Sequence, residues 1–202
     1  MPQPFQAANI IEQSIQQAGI TVAYPEVAGL SEQDMQAKIN EQIIIVVRSM
    51  MLAQGITAVD LVQMEGTYTI ELNEKGLLSI RFENYVRPDH RANGITLLRA
   101  LTFNLDTGVH YSFNELFKPS LPYHYLINNL IQEQIKQKAL PTTGTVSSVT
   151  ARQDFYLMRT SVVIIFPELT FTPQVIGPPE FKLSFKQLRE LVNPLGPLAR
   201  LI

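Results

Sequence analysis

QDFYLMRTSVVIIFPELTFTPQVIGPPEFKLSFKQLRELV, residues 153–192, holds five consecutive apolar residues, Val162 to Phe166, closed by Pro167. An apolar run this short, bounded by turn residues, reads as a strand buried on both faces. Asp154-Phe155-Tyr156-Leu157 precedes it. Phe171-Thr172-Pro173, Gly177-Pro178-Pro179 and Phe181-Lys182-Leu183-Ser184-Phe185 follow. Ser184 and Gln187 cap a last helix through Leu188 and Val192, which Asn193-Pro194 stops. The rest of the chain is expected to pack around this strand.

Working outward, residues 141–150 form a polar, small-residue loop expected to be mobile. Before it, residues 122–138 carry Leu126, Ile127, Leu130, Ile131 and Ile135 at helical spacing. Ser112 and Glu115 make a capping box for one helical turn through Leu116-Phe117. Residues 95–105 read as a strand with Leu97, Leu101, Phe103 and Leu105 on one side. The turn Asp106-Thr107-Gly108 leads into a short strand around residues 109–111.

Residues 67–86 read as a hairpin. Tyr68, Ile70 and Leu72 share one face with Leu78, Ile80 and Phe82 if position 70 pairs with 80. That register leaves a three-residue loop, Glu74-Lys75-Gly76, with Thr69 opposite Arg81 and Glu71 opposite Ser79. Ser31, with Asp34 as a capping-box variant, opens a helix of roughly six turns, in which Met35, Ile39, Ile43, Val46, Val47 and Met50 recur until Gly55. Residues 20–25 alternate and read as a strand stopped by Pro25. Residues 9–15 fit either a short helix or a strand, and a hairpin with a turn over residues 16–19 is the favoured reading. The pattern as a whole is α+β: an antiparallel sheet with two long helices and a short C-terminal helix packed against it. The weakest joint lies over residues 55–65. It separates an N-terminal part, residues 1–60, from residues 61–202, within what is expected to be one compact unit.

The chain has 202 residues, 46% of them hydrophobic, enough for a substantial core. Its 16 basic and 18 acidic residues are dispersed, with a net charge of −2, so no stripe points to nucleic acid. With no cysteine, disulfides, thiolate metal sites and a cysteine nucleophile are excluded. No apolar run approaches the roughly 20 residues that span a bilayer. Met1-Pro2-Gln3-Pro4 lacks the basic-then-apolar pattern of a signal peptide. An internal protein, in the cytoplasm, and a trimmed exported one both fit that start.

Catalytic chemistry finds little footing. His90, His110 and His124 are not at metal-ligand spacing, and neither a metal nor a cofactor is expected. No G-x-S-x-G elbow occurs; Ser79 belongs to a strand and Ser112 to a cap. Among Glu65, Glu71, Glu74 and Glu83, alternation puts Glu71 and Glu83 on the polar face of the hairpin, where solvated charge is the ordinary outcome. Gly177-Pro178-Pro179 has too few N–H groups for a phosphate loop. No catalytic residue is assigned. Aromatic residues are more informative. Phe113, Phe117, Tyr123 and Tyr125 cluster near Lys118-Pro119, and Tyr85, Tyr111 and Tyr156 lie near loops. Tyrosines at loop edges suit sugar or protein contact; their ordinary alternative is to seal the edges of the core.

Several pieces occur in an order that resembles a known family. They are Tyr24-Pro25-Glu26-Val27, Lys38-Ile39-Asn40, Gly76-Leu77-Leu78-Ser79-Ile80, Leu105-Asp106-Thr107-Gly108, Glu115-Leu116-Phe117, Gln153-Asp154-Phe155-Tyr156 and the Pro173, Gly177, Phe181 spacing. Their joint order, over about residues 9–192, resembles the extracytoplasmic domain of the RsiV-like anti-sigma factors, also found beside the deacetylase domain of PdaC-type cell-wall enzymes. The resemblance implies an α+β domain at the cell envelope, with a receptor-like role toward lysozyme in the anti-sigma factors and no transferable catalytic residue. Many members carry Gly-Gly-Ala-His-Gly before the third strand. Here the aligned residues are His90-Arg91-Ala92-Asn93-Gly94, so the family histidine position is Asn93.

These readings converge on a non-enzymatic recognition or sensor domain that binds a protein, such as one like lysozyme, or a peptidoglycan fragment. The binding residues expected are His90, Arg91 and Asn93 in the loop of residues 88–94, and Tyr123 and Tyr125 in the loop of residues 120–125. The alternatives are a cell-wall-directed hydrolase and a structural dimerisation module using an exposed strand edge.

Overall fold

The computed structural model describes residues 7–56, 61–89, 93–168 and 170–202. The chain divides into two compact units, Met1–His110 and Tyr111–Ile202.

The first unit opens with a hairpin, β1 (Asn9–Gln17) and β2 (Ile20–Ala28), whose two-residue turn uses Gly19 at φ 74°. The ambiguous segment of residues 9–15 is thus strand. β2 does not stop at Pro25, which pairs with Glu12 inside the strand. The helix α1 (Gln33–Ala53) follows, then β3 (Leu61–Glu74), β4 (Leu77–Pro88) and β5 (Ile95–Asn104). The sheet order is β1-β2-β3-β4-β5. It is not wholly antiparallel, as the sequence led us to expect: β2 and β3 run parallel through Ile20–Met64, Thr21–Glu65 and Val22–Gly66. The reason is α1, which serves as the crossover that a parallel pair requires. Gly66 permits the approach, since a Cβ there would collide with the side chains of Val22 and Asn84.

Beyond Val22 the two strands part, and at Pro25 β2 has a neighbour on one flank only, where proline is tolerated. Asn40 of α1 fills the vacated flank. Its Oδ1 accepts from the Val27 N–H at 2.8 Å and its Nδ2 donates to the Val27 carbonyl at 2.9 Å. Helix α1 buries Ile39, Ile43, Val47, Met50 and Met51 against Val22, Val27, Met64, Leu78, Ile80, Phe82 and Phe103. From Ile39 to Met50 the apolar stripe read from the sequence therefore faces the sheet, with Met51 added and Met35 outside this core. The expected cap is absent. Glu32 is the N-cap, without a side-chain bond, and Ser31 lies one residue outside. Instead, Gln36 reaches back and accepts from the Leu30 N–H at 3.2 Å.

The β3–β4 register matches the expectation from Tyr68–Phe82 to Ile70–Ile80, with Thr69 opposite Arg81, and then departs from it. An irregularity at Glu71 inserts one residue, so Leu72 faces Ser79 and Glu74 faces Leu77. The loop shrinks from three residues to two, Lys75-Gly76, both at positive φ (53° and 71°), the geometry of a tight hairpin turn. The slip also moves Leu72 to the face of Ser79, away from Tyr68 and Ile70. Leu72, Leu77 and Ser79 are all buried there. On β5, Leu101 and Phe103 join the α1-facing core with Leu105 beyond the strand. The strand expected around residues 109–111 reduces to one bridge, His110 to Phe103.

The second unit has a 3-10 turn, Phe113–Leu116, closed by the expected capping box, in which the Ser112 N–H donates to Glu115 Oε2 at 2.7 Å. Helix α2 (Tyr123–Gln137) buries Tyr123, Ile127, Ile131 and Ile135. Strands β6 (Phe155–Met158), β7 (Ser161–Ile165) and β8 (Glu180–Ser184) form an antiparallel sheet in the order β6-β7-β8. Every residue of β7 is buried, as the apolar run required. It is the centre of this small sheet, whereas α1 and the first five strands have their own core. The loop of residues 141–150, expected to be mobile, is tied at two points: the Thr143 N–H donates to the Phe171 carbonyl and the Val149 N–H to Asn128 Oδ1. The capping box of Ser184 and Gln187 forms, but α3 (Phe185–Leu188) lasts four residues before a 3-10 turn, Arg189–Leu191.

Two outcomes test this account. Asn40→Ala removes two hydrogen bonds and leaves the buried Val27 backbone unpaired, and it should cost about 2–4 kcal/mol in urea unfolding. Ser31→Ala should stay within about 0.5 kcal/mol, since Ser31 caps nothing. Tyr68 gives a pH test. Burial, and then the charge of Glu12 and its hydrogen bond, raise the phenol above its ordinary 10.0. A phenol that ionises later when folded contributes stability that is complete below pH 10 and is lost as pH rises through the raised value. Unfolding followed between pH 9 and 12 should therefore show a shallower alkaline decline in Tyr68→Phe than in the parent.

Candidate functional site

The two loops expected to bind belong to different units. In the first, His90 and Arg91 lie outside the described residues. Asn93 is exposed at the entry to β5. Beside it, the Tyr85 ring lies over Gly94, where any Cβ would enter the ring. Tyr85 is thus a packing residue that enforces a glycine at position 94. Arg87 donates weakly to Gln63 Oε1 at 3.4 Å near the same end of β4.

The second loop separates its two tyrosines. Tyr123 opens α2 and is only 6% exposed. Its ring stacks on Phe117 at 4.6 Å between centroids and meets Phe113 edge-on at 6.2 Å. Burial pushes its phenol pKa up. Tyr125 is 76% exposed. Positions two apart on a helix point about 200° from one another, so a packed Tyr123 sends Tyr125 outward. His124, between them, stacks on the Tyr123 ring at 3.9 Å. An aromatic floor of Phe113, Phe117 and Tyr123 therefore holds the first turn of α2 and presents Tyr125 from it. Of the other tyrosines near loops, Tyr111 is half-buried, and Tyr156 is buried and donates to Glu180 Oε2 at 2.8 Å.

The carboxylates weighed for hydrolysis sit in separate local pairings. Glu83 makes an ion pair with Arg81 at 2.8 Å, Glu65 accepts from Gln63 at 2.6 Å, and Glu71 lies in the irregular stretch of β3. His110 is exposed, edge-on to Phe103. Among the described residues, no three His, Asp or Glu side chains converge as metal ligands would. The sequence reading also passed over a cationic cavity in the second unit, lined by Arg159, Lys186 and Arg189. These residues come from a turn and a helix about 30 positions apart, and their only trace in the sequence is that both segments carry cations.

Residues 114–186 match the family model described as a protein of unknown function, DUF3298. No curated protein matches the sequence. Two solved structures are similar to this chain. One is a member of the DUF3298 family from Bacteroides fragilis, with 12% identity over 96% of this chain and 97% of that one and a TM-score of 0.68. The other is a DUF3298 family protein from Pseudomonas aeruginosa, with 14% identity over 95% and 96% and a TM-score of 0.62. At these identities the likeness establishes a shared fold across nearly the whole chain, and the match to DUF3298 covers the helix, sheet and loops of the second unit.

Proposed function

We propose that this protein is a non-enzymatic recognition domain that binds a protein or a cell-wall glycan at the cell envelope. The observation that carries this reading is the outward-facing Tyr125 on a first helical turn held by stacked aromatic rings. A rigid ring with an apolar face and a polar hydroxyl loses little entropy on binding a sugar or a protein surface. The resemblance to the RsiV-like anti-sigma factors supports an extracytoplasmic setting and a lysozyme-like basic partner. The loop of residues 88–94, with His90, Arg91 and Asn93, is the second contact region in this proposal. Among the described residues, no helix is long and apolar enough to cross a membrane.

A second reading, a dimerisation module, draws on β1. This nine-residue strand lies at the edge of the five-stranded sheet with one charged residue, Glu12, and no lysine or proline to discourage pairing.

Capture of peptidoglycan fragments and of lytic enzymes, lysozyme included, at increasing salt tests the recognition reading. Salt-resistant capture of one of them is expected, with Tyr125→Ala weakening it at least tenfold without loss of thermal stability. Capture unchanged in Tyr125→Ala would remove Tyr125 from the contact. Tyr123→Ala should instead destabilise the fold by about 3–5 kcal/mol through the cavity left among the rings. For the second reading, sedimentation should show a concentration-dependent dimer, and a strict monomer at high concentration ends it.

A further inference from the structure

We infer that the cavity between the β6–β7 turn and α3 is a binding site for an anionic group carried on a short apolar body. The β6–β7 hairpin turns at Arg159-Thr160, and the Thr160 carbonyl accepts from the Phe185 N–H at 2.9 Å. That bond, with the Ser161–Ser184 pairing of β7 and β8, fixes the turn against the start of α3. The resulting cavity, of about 420 Å³, is lined by Arg159, Lys186 and Arg189 together with Phe185, Leu201 and Ile202. Its volume lies in the range of small-molecule sites.

Its charge is net positive. Three cationic and no acidic side chains line it, beside the backbone carboxylate of Ile202, in a chain whose net charge is −2. Lys186 and Arg189 are three positions apart, so they rise from one face of the helical segment. Among the described residues neither has an ion-pair partner. Cations that line a low-dielectric wall focus a positive potential into the space beside it. The wall is apolar: the buried Phe185 ring with Leu201 and Ile202. An exposed ammonium or guanidinium holds a bare anion weakly. A ligand that adds apolar contact to the charge gains from both parts of the lining. Carboxylate and phosphate share the chemistry required, and the arginines suit the planar, two-oxygen edge of either.

The test titrates the full chain with octanoate, octyl phosphate, octanol and octylammonium, followed by calorimetry and chemical shifts. Saturable binding of at least one anion is expected, weakened by salt, with octanol and octylammonium at least tenfold weaker. The tighter of the two anions identifies the head group. The double variant Lys186→Gln/Arg189→Gln, both positions exposed, should keep its thermal stability and bind the anion at least tenfold more weakly. Lys136→Gln, on α2 and outside the cavity, should bind as the parent does. Octanol binding as tightly as octanoate, no saturable binding of either anion, or unchanged binding in the double variant would each overturn the assignment.

Discussion

Asn40 holds both backbone hydrogen-bonding groups of Val27, and the arrangement of the first unit depends on that pair of bonds. β2 lies beside β3 for only three residue pairs and then leaves it. A strand that leaves its neighbour exposes N–H and C=O groups that must find partners where water is excluded. An asparagine side chain presents an N–H donor beside a C=O acceptor, as a strand neighbour's backbone does, so it replaces a missing strand residue. Because Asn40 sits on the helix that crosses from β2 to β3, the same residue that satisfies the strand also sets how α1 lies on the sheet. The device recurs. Asn73 binds the N–H and C=O of Ala8 at the start of β1, and Gln54 donates to the carbonyls of Asn84 and Ile95 at the end of α1. In each of these three places an amide side chain satisfies backbone groups of a strand or its end.

The second unit solves a different problem, with rings in place of amides. Phe113, Phe117, Tyr123 and Phe155 pack about the start of α2, and Phe166, Phe171 and Phe181 pack at the end of the small sheet. Rings interlocked edge to face resist rotation, which makes the adjoining helix turn a firm platform. Recognition residues are most effective on such a platform, because little ordering remains to be done at binding. The outward tyrosine is set on an element fixed in this way.

How far the sequence could be read follows from whether each feature is local. The stripe of α1 and the apolar run of β7 were legible because burial imposes its period on every residue of the element. The capping boxes at Ser112 and Ser184 were legible because donor and acceptor lie three residues apart. The slip at Glu71 was not, since either register buries apolar side chains, and only the face on which Leu72 is wanted separates them. Ser31 looked like a cap for α1, but a helix start can move one residue when tertiary contacts hold it. The aromatic cluster of residues 113–125 was visible as a cluster, whereas the opposite fates of Tyr123 and Tyr125 were not. Two tyrosines two positions apart on a helix have equal hydropathy, and which one turns inward depends on where Phe117 lies.

The sequence by itself determined the α+β class, most elements and much of the main cores, though not the exposure of Leu126 on α2, because hydrophobic periodicity is a property of neighbouring positions. Only the tertiary structure decided the parallel β2–β3 pairing, the division after His110, the pinning of the loop of residues 141–150 and the meeting of Arg159 with Lys186 and Arg189. Each of these joins residues distant along the chain, and such pairings are selected by the closing of the whole fold, which no local pattern encodes.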